Sequence, residues 1–463
     1  MAKTNTTTLD SLVALAKRRG FIFQGSEIYG GLAGTYDYGP YGVLLKNNLK
    51  ALWWKHFVTE RDNMYGLDTA ILMNPRVWEA SGHTSAGFAD PLVEDLKTNK
   101  RYRADHLLEE AGLENVAELT FDQMDAKIKE LNLKSPDGNG LSEVRQFNMM
   151  FSTKAGPVDD TASTVYLRPE TAQGMFVNFK NVMDSIHPRL PFGLAQIGKN
   201  FRNEITPRDF IFRVRELEIM EYEYFIDPAD WQEVFEEQRQ LWLAWTKRIG
   251  LDPDDIHELD VPAADRAHYS KKSVDFEYRF PIGVKELGAI AYRTDFDLAN
   301  HMKHTGADLT YVDPVSGNKF VPHVVEPTFG LDRHVLAVIT SAYNEEKVGE
   351  NDTRVVLKLK AELAPVKVMV SPLLRNKPEL VTKAREVYAE VKKTFGSVTF
   401  DDNGNIGKRY RRQDEIGTPL CVTIDFDTLE DKAVTVRHRD TMEQVRVPLD
   451  KLIANLTQQL GAF

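Results

Sequence analysis

The stretch FRNEITPRDFIFRVRELEIMEYEYF, residues 201–225, sets four arginines and six acidic residues among Phe, Ile and Tyr. Read as strand, turn, strand, it gives FRNEI and FRVRELEIMEYEYF joined by the turn-prone TPRD. Side chains alternate between the two faces of a strand. Arg213, Arg215, Leu217, Ile219, Glu221 and Glu223 therefore share one face, and Phe212, Val214, Glu216, Glu218, Met220 and Tyr222 the other. The first face runs from cations through apolar residues to anions. That order suits a ligand with a polyanion at one end, a flat apolar middle and an ammonium at the other. A solvent-exposed face with cross-strand ion pairs would carry the same letters.

Three further islands mix the same residue types. YLRPETAQG (166–174) sets Arg168 and Glu170 about a proline, and FPIGVKELGAIAYRTDFDL (280–298) holds Lys285, Glu286, Arg293, Asp295 and Asp297 among small residues. HVVEPTFGLDRHVLAVIT (323–340) runs from Glu326 through a glycine turn to Asp332 and Arg333. A turn, a loop or a helix cap would account for each alone; together they favour one shared site. His83, His187, His323 and His334 stand singly, with no Ser or Cys elbow near them, and read as structural or solvated.

At 463 residues and 42% hydrophobic, the chain is long enough for two or three domains. One cysteine, Cys421, excludes internal disulfides and multi-cysteine zinc sites, and suits a reducing, cytoplasmic setting. No stretch has the length of a membrane span, and the N-terminus lacks a signal-peptide pattern. The net charge of −11 argues against broad coating of nucleic acid, though not against a local basic track such as KRYRR at 408–412.

Residues 9–19 and the segment opening at Gly39-Pro40 read as helices, the second followed by a strand-like GLDTAILM. The charged residues 90–150 read as an insertion, dividing a first domain into 1–89 and 151–362, where strands dominate around one helix at 229–249. From 363 to 463, strands alternate with helices, as in a separate α/β domain. The fold class is α+β.

FRNE followed by RELEIME resembles motif 2 of the class II aminoacyl-tRNA synthetases, EPTFGLDR resembles motif 3, and the Gly39-Pro40 helix resembles motif 1. With YGGLAGTYDYGPYG, WEASGH, RYRADHL, FNMMF, YLRPETAQG and RRQDEIGTP, the set resembles the single-chain, homodimeric glycyl-tRNA synthetases over nearly the whole chain.

The resemblance implies a six- or seven-stranded antiparallel catalytic sheet, an anticodon-binding C-terminal domain, and ATP, glycine, tRNA(Gly) and Mg²⁺ as partners. Arg202 would bridge the α-phosphate and the glycine carboxylate, and Arg333 would hold the γ-phosphate. Asn203, Glu204, Phe212, Arg213, Arg215, Leu217, Glu286, Leu287 and Gly330 complete the implied ATP site, with Glu286 the candidate for Mg²⁺. Arg103, Glu170, Leu217, Glu218, Ile219, Met220, Glu221, Glu326 and Thr328 are the implied glycine contacts. Arginine suits such roles because its planar fork binds phosphate and carboxylate bidentately. Glycine offers no side chain to grip, so a packed pocket that excludes larger amino acids supplies selectivity and no editing domain is required.

Two positions depart from the family pattern. Leu217 stands where Phe is usual, losing π stacking under the adenine, and Ile219 stands where Gln is common. The expectation is an active enzyme with weaker ATP binding. The alternatives are a non-catalytic tRNA-binding protein that kept the fold and a synthetase for alanine or serine.

Overall fold

The computed structural model describes residues 7–84, 89–113, 116, 119–157, 163–263, 265–350 and 352–461. Helix α1 (Leu9–Arg19) starts where the Thr8 hydroxyl accepts from the Ser11 N–H and stops at Gly20, whose φ of 69° few other residues tolerate. Helix α2 (Pro40–Trp54) has Pro40 in its first turn. It lies so close to the preceding chain that a Cβ on Gly42 would sit 1.8 Å from the Phe21 carbonyl oxygen.

A seven-stranded sheet organises the first part of the chain. Its strands are β1 (Met64–Gly66), β2 (Phe192–Phe201), β3 (Glu216–Ile226), β4 (Ile256–Asp260), β5 (Lys272–Phe280), β6 (Gly283–Thr294) and β7 (His323–Gly330). They lie in the order β4-β5-β6-β7-β3-β2-β1. Every pairing is antiparallel except the parallel edge pair β1–β2. Helices α3 (Trp231–Arg248) and α4 (Leu331–Ala342) and α2 cover one face. Trp53, Phe57, Trp242 and Trp245 are fully buried there against Met220, Tyr222, Phe276 and Phe329, and Trp242 stacks on Phe276 at 3.8 Å between centroids. The aromatic stripe of α2 is thus core.

Two local readings change. The strand-like GLDTAILM is strand only to Gly66; beyond it Leu72 makes a single bridge to Leu167, and the Thr69 carbonyl accepts from Arg168 instead of a neighbouring strand. FRVR is not strand: Asp209 and Phe210 take φ of 62° and 58°, Phe210–Phe212 forms one 3-10 turn, and β3 starts at Glu216. Arg213 and Arg215 therefore belong to a loop, while Leu217, Ile219, Glu221 and Glu223 keep the alternation of a strand.

Within 90–150, Ala89–Glu94, Arg101–Arg103 and Arg145–Asn148 form a three-stranded sheet. Two helices, Ala104–Glu110 and Phe121–Glu130, close a separate small core around Val93, Leu108, Met124 and Ile128.

Near the C-terminus, β8 (Val368–Pro372), β9 (Val398–Phe400), β10 (Leu420–Ile424), β11 (Ala433–His438) and β12 (Gln444–Pro448) form a second sheet in the order β9-β8-β10-β11-β12. Helices α5 (Pro378–Phe395), α6 (Ile406–Ile416) and α7 (Leu452–Leu460) belong to the same unit, which has its own core of Val370, Leu380, Val422 and Leu456.

The three arginines of the KRYRR run on α6 are all engaged within the protein, and Arg409 points inward. Arg409 is buried and donates to Ser371 and to the carbonyls of Pro372, Asp402 and Gly404. Arg412 pairs with Asp401 at 2.9 Å and Arg411 with Asp352 at 2.6 Å. Removing Arg409 would strand several carbonyls, each costing roughly 1–3 kcal/mol when left unpaired. Arg409→Ala is expected to lower the unfolding midpoint of the C-terminal unit in a denaturant titration; an unchanged midpoint would contradict the role assigned to this side chain.

Candidate active site

Strands β3, β6 and β7, the start of α4 and the loop after β2 line an open cleft. Among the anticipated residues, Arg202, Glu204, Phe212, Arg213, Leu217, Glu218, Ile219, Glu286, Leu287, Thr328, Gly330 and Arg333 line it. Arg202 is held from behind, its Nε donating to the Pro169 carbonyl at 3.1 Å. Arg333 lies over the Phe212 ring at 4.5 Å and meets Glu286 at 3.0 Å. That guanidinium, with Arg202 and Arg213 further off, holds the Glu286 carboxyl below its usual range. Ile211 and Val214 add apolar wall beside Leu217.

Helix α2 reaches this cleft through a buried polar chain. Lys46 Nζ lies 2.9 Å from Glu218 and 3.4 Å from Asp332, and Tyr38 donates to Asp332 at 2.5 Å. The other Asp332 oxygen accepts from the Glu218 N–H at 2.8 Å. Asp332 thereby ties the strand carrying Leu217 and Ile219 to the helix carrying Arg333.

Below the cleft lies an acidic recess. Glu221 on β3 accepts from the Thr171 N–H at 3.0 Å and from its hydroxyl, and Thr328, which lines the cleft, approaches it at 3.5 Å. Glu326 on β7 takes a two-oxygen contact at 2.9 Å from Arg293 on β6. The same guanidinium grips Asp297 at 2.8 and 2.9 Å and lies 3.8 Å from the Tyr269 ring centre. Glu170 meets His83 at 3.3 Å and the Gln173 amide at 3.0 Å. Gln173 also donates to Asp297 and faces His301.

Burial and like charge set the protonation of these acids. Burial pushes the Glu326 carboxyl up to about 8 against the pull of Arg293, with Glu221 and Glu170 adding to the rise. Burial also raises Glu221, opposed by the Thr171 hydrogen bond. For Glu170 burial acts upward too, but His83, Arg293 and Gln173 outweigh it and hold the carboxyl well below the usual range.

Several anticipated residues sit elsewhere. Met220 is fully buried in the aromatic core, because strand alternation turns it away from Ile219 and Glu221. Glu218 borders the cleft, but its carboxylate is taken by Lys46 and Lys50. Arg215 is a loop brace, donating to the carbonyls of Ala33 and Glu204. The Asn203 N–H donates to the Met149 carbonyl, and Asn203 does not line the cleft. Arg103 is paired with Asp90 at 2.8 Å and Asp105 at 2.6 Å, on the Glu204 side of the site. Of the histidines, His83 is buried beside Glu170, His334 is buried with Nδ1 facing the Gly330 carbonyl, and His323 meets Tyr292 at 2.5 Å.

Sequence reading gave no role to Arg293, Asp297, Thr171, Gln173 or His83. Arg293 and Asp297 stood in one of the charged islands, the available signal. The contact of Arg293 with Glu326 depends on strand order.

A glycine-tRNA ligase of Caldanaerobacter subterraneus subsp. tengcongensis is 50% identical over 460 residues, covering 98% of this chain and 98% of that one. The chain belongs to the glycine-tRNA ligase family. Ligases of the same name from Bacillus cereus and Geobacillus kaustophilus are 50% and 49% identical, each over 98% of this chain and 99% of theirs. The family model for the tRNA synthetase class II core domain (G, H, P, S and T) matches residues 151–343, and that for the anticodon binding domain matches 367–459. A crystal structure of prolyl-tRNA synthetase from Cryptosporidium parvum superposes with a TM-score of 0.66 at 15% identity, covering all of this chain and 77% of that one. The fold is therefore that of a class II synthetase. Among the described residues, no helix is long and apolar enough to cross a membrane.

Arg293 balances two buried acids, so its loss would leave uncompensated charge, costing about 3–5 kcal/mol. Arg293→Ala is expected to lower unfolding stability by that amount in equilibrium denaturation; a loss no larger than that of a surface substitution would contradict the assignment.

Proposed function

We propose that the arginine-lined cleft takes ATP and the acidic recess takes glycine, so that this ligase forms glycyl-adenylate before charging tRNA(Gly). The observation carrying this reading is the meeting of the two compartments at Thr328, which faces the cleft and also approaches Glu221. Phosphates on the side of Arg202 and Arg333, with an ammonium beside Glu221, Glu170 and Glu326, would put the glycine carboxylate between them. In the first step a carboxylate oxygen bonds to the α-phosphorus while the bond to the β-phosphate oxygen breaks and pyrophosphate leaves. In the second, the terminal ribose hydroxyl of tRNA attacks the adenylate carbonyl, loses its proton and expels AMP.

Preorganised cations at the phosphorus stabilise charge that develops only in the transition state. Arg202 and Arg333 are suited to this because each is already held by contacts outside the cleft's centre. Glu204 would accept from the adenine amino group, and Leu217 and Ile219 would offer an apolar surface without π stacking. Among the described residues no cluster of three or more His, Cys, Asp or Glu side chains is arranged to hold a metal by itself. Glu286 fits Mg²⁺ as one carboxylate supplementing phosphate oxygens, where the ion would screen phosphate charge.

The C-terminal unit is the part proposed to grip the anticodon, and the lone, buried Cys421 supports a reducing, cytoplasmic setting for the reaction. A homodimer through α2 is supported by the apolar side chains Val43 and Leu44 that this helix leaves exposed.

ATP–pyrophosphate exchange without tRNA, measured with glycine, alanine and serine, tests the reading. Exchange with glycine alone is expected, and Arg202→Ala or Arg333→Ala should lower kcat roughly 10²–10³-fold, the scale for losing a transition-state donor. Comparable exchange with alanine would overturn the size filter, and full activity of both variants would overturn the roles of the arginines.

A further inference from the structure

Glu223 is a fully buried carboxyl that the mechanism above leaves unused. Among the described residues, no donor reaches either of its oxygens, so its carboxyl accepts no hydrogen bond. Pairing of Glu221 with Thr328 and of Tyr224 with Val325 places Glu223 opposite Glu326 in the antiparallel ladder. Side chains directly opposite share a face and lie within contact distance. On the other flank, Glu223 pairs with Leu194 of β2, part of an apolar cluster that includes Phe176, Phe225 and Leu298.

The charged groups around it are Glu326 on β7, Arg293 on β6, Glu221 on its own strand and Asp297 on the helix Phe296–Thr305. Arg293 is already shared between Asp297 and Glu326 and makes no hydrogen bond to Glu223. Two carboxylates cannot both ionise side by side in a buried ladder, so one keeps a proton. Glu326 has a guanidinium on its oxygens and Glu223 has none, which settles which acid carries it. Burial, followed by the charge of Glu326, drives the Glu223 carboxyl well above the usual range.

We infer that Glu223 is a neutral carboxylic acid that donates a hydrogen bond to Glu326, fixing that carboxylate for the substrate ammonium. Glu223 is a positioning residue: it lies a layer behind the recess and acts through Glu326. This rests on the assignment of the recess to glycine. A donor at this position favours the ionised form of Glu326 as the ammonium arrives, and the same donor would be supplied by the amide of a glutamine.

The test compares E223Q and E223A with wild type in glycine-dependent and ATP-dependent pyrophosphate exchange. E223A is expected to raise the glycine KM about tenfold or more, the scale of a charge-assisted hydrogen bond, with the ATP KM within about twofold. E223Q should restore the wild-type glycine KM. In infrared spectra recorded above the pH at which Glu326 ionises, wild type should keep a protonated-carboxyl band that E223Q loses, a readout that does not depend on E223A folding. Equal effects of the two variants, or absence of that band in wild type, would overturn the inference while leaving glycine activation intact. Failure of wild type to exchange would overturn the activity itself, and with it the role given to Glu223.

Discussion

Arg293 is the cation on which the acidic recess depends. It lies fully buried between Asp297 and Glu326, contacting both carboxylates at 2.8–2.9 Å. Without it, Glu170, Glu221, Glu223, Asp297 and Glu326 would face one another in a volume from which water is excluded, and folding would force protons onto most of them. With it, the cluster remains acid-rich and lacks one more positive group. In the reading proposed above, a substrate ammonium would supply such a group. Excess carboxylate would thus become selectivity for a cation of small volume, and the arginines of the neighbouring cleft would supply the opposite preference.

The separation of those two preferences is a property of the sheet. Strand β3 carries Leu217 and Ile219 toward the cleft and Glu221 and Glu223 toward the recess, while Met220, Tyr222 and Tyr224 on its other face belong to the aromatic core. Its two neighbours, β2 and β7, hold register with it over most of its length. The Lys46–Asp332–Glu218 contacts then fix α2 to the same strand. A displacement of α2 would be felt at Leu217, Ile219 and Arg333, since Asp332 accepts from the Glu218 N–H between the first two and adjoins the last.

Much of this architecture is legible in the letters. Thr8 and Gly20 mark both ends of α1, Pro40 marks the start of α2, and the alternation from Leu217 to Glu223 separates site from core. That same alternation excludes Met220 from the site; motif adjacency had included it. Other features were not legible locally. FIFRV has strand composition, yet Asp209 and Phe210 adopt positive φ and the chain turns, burying Phe212 under Arg333. KRYRR looks like a solvated basic track, but Arg409 points inward because carbonyls from the end of β8 and from the loop between β9 and α6 converge on it. The Arg293–Glu326 pair spans 33 positions and follows from strand order, which no short window of sequence contains.

The central claim is that the recess is a set of part-protonated acids awaiting a cation. Burial and the neighbouring acids push the Glu326 carboxyl up to about 8 and raise Glu221 and Glu223 as well, so at neutral pH the coupled set of acids holds protons in the empty site. An ammonium beside it favours the ionised form, so binding must release protons. The direct measurement is calorimetric titration of the protein with a stable glycyl-adenylate analogue in buffers of different ionisation enthalpy. The account predicts that the apparent binding enthalpy changes with the buffer in the sense of proton release, and that the release shrinks as pH rises past about 8. Enthalpies that are the same in every buffer at neutral pH would contradict it.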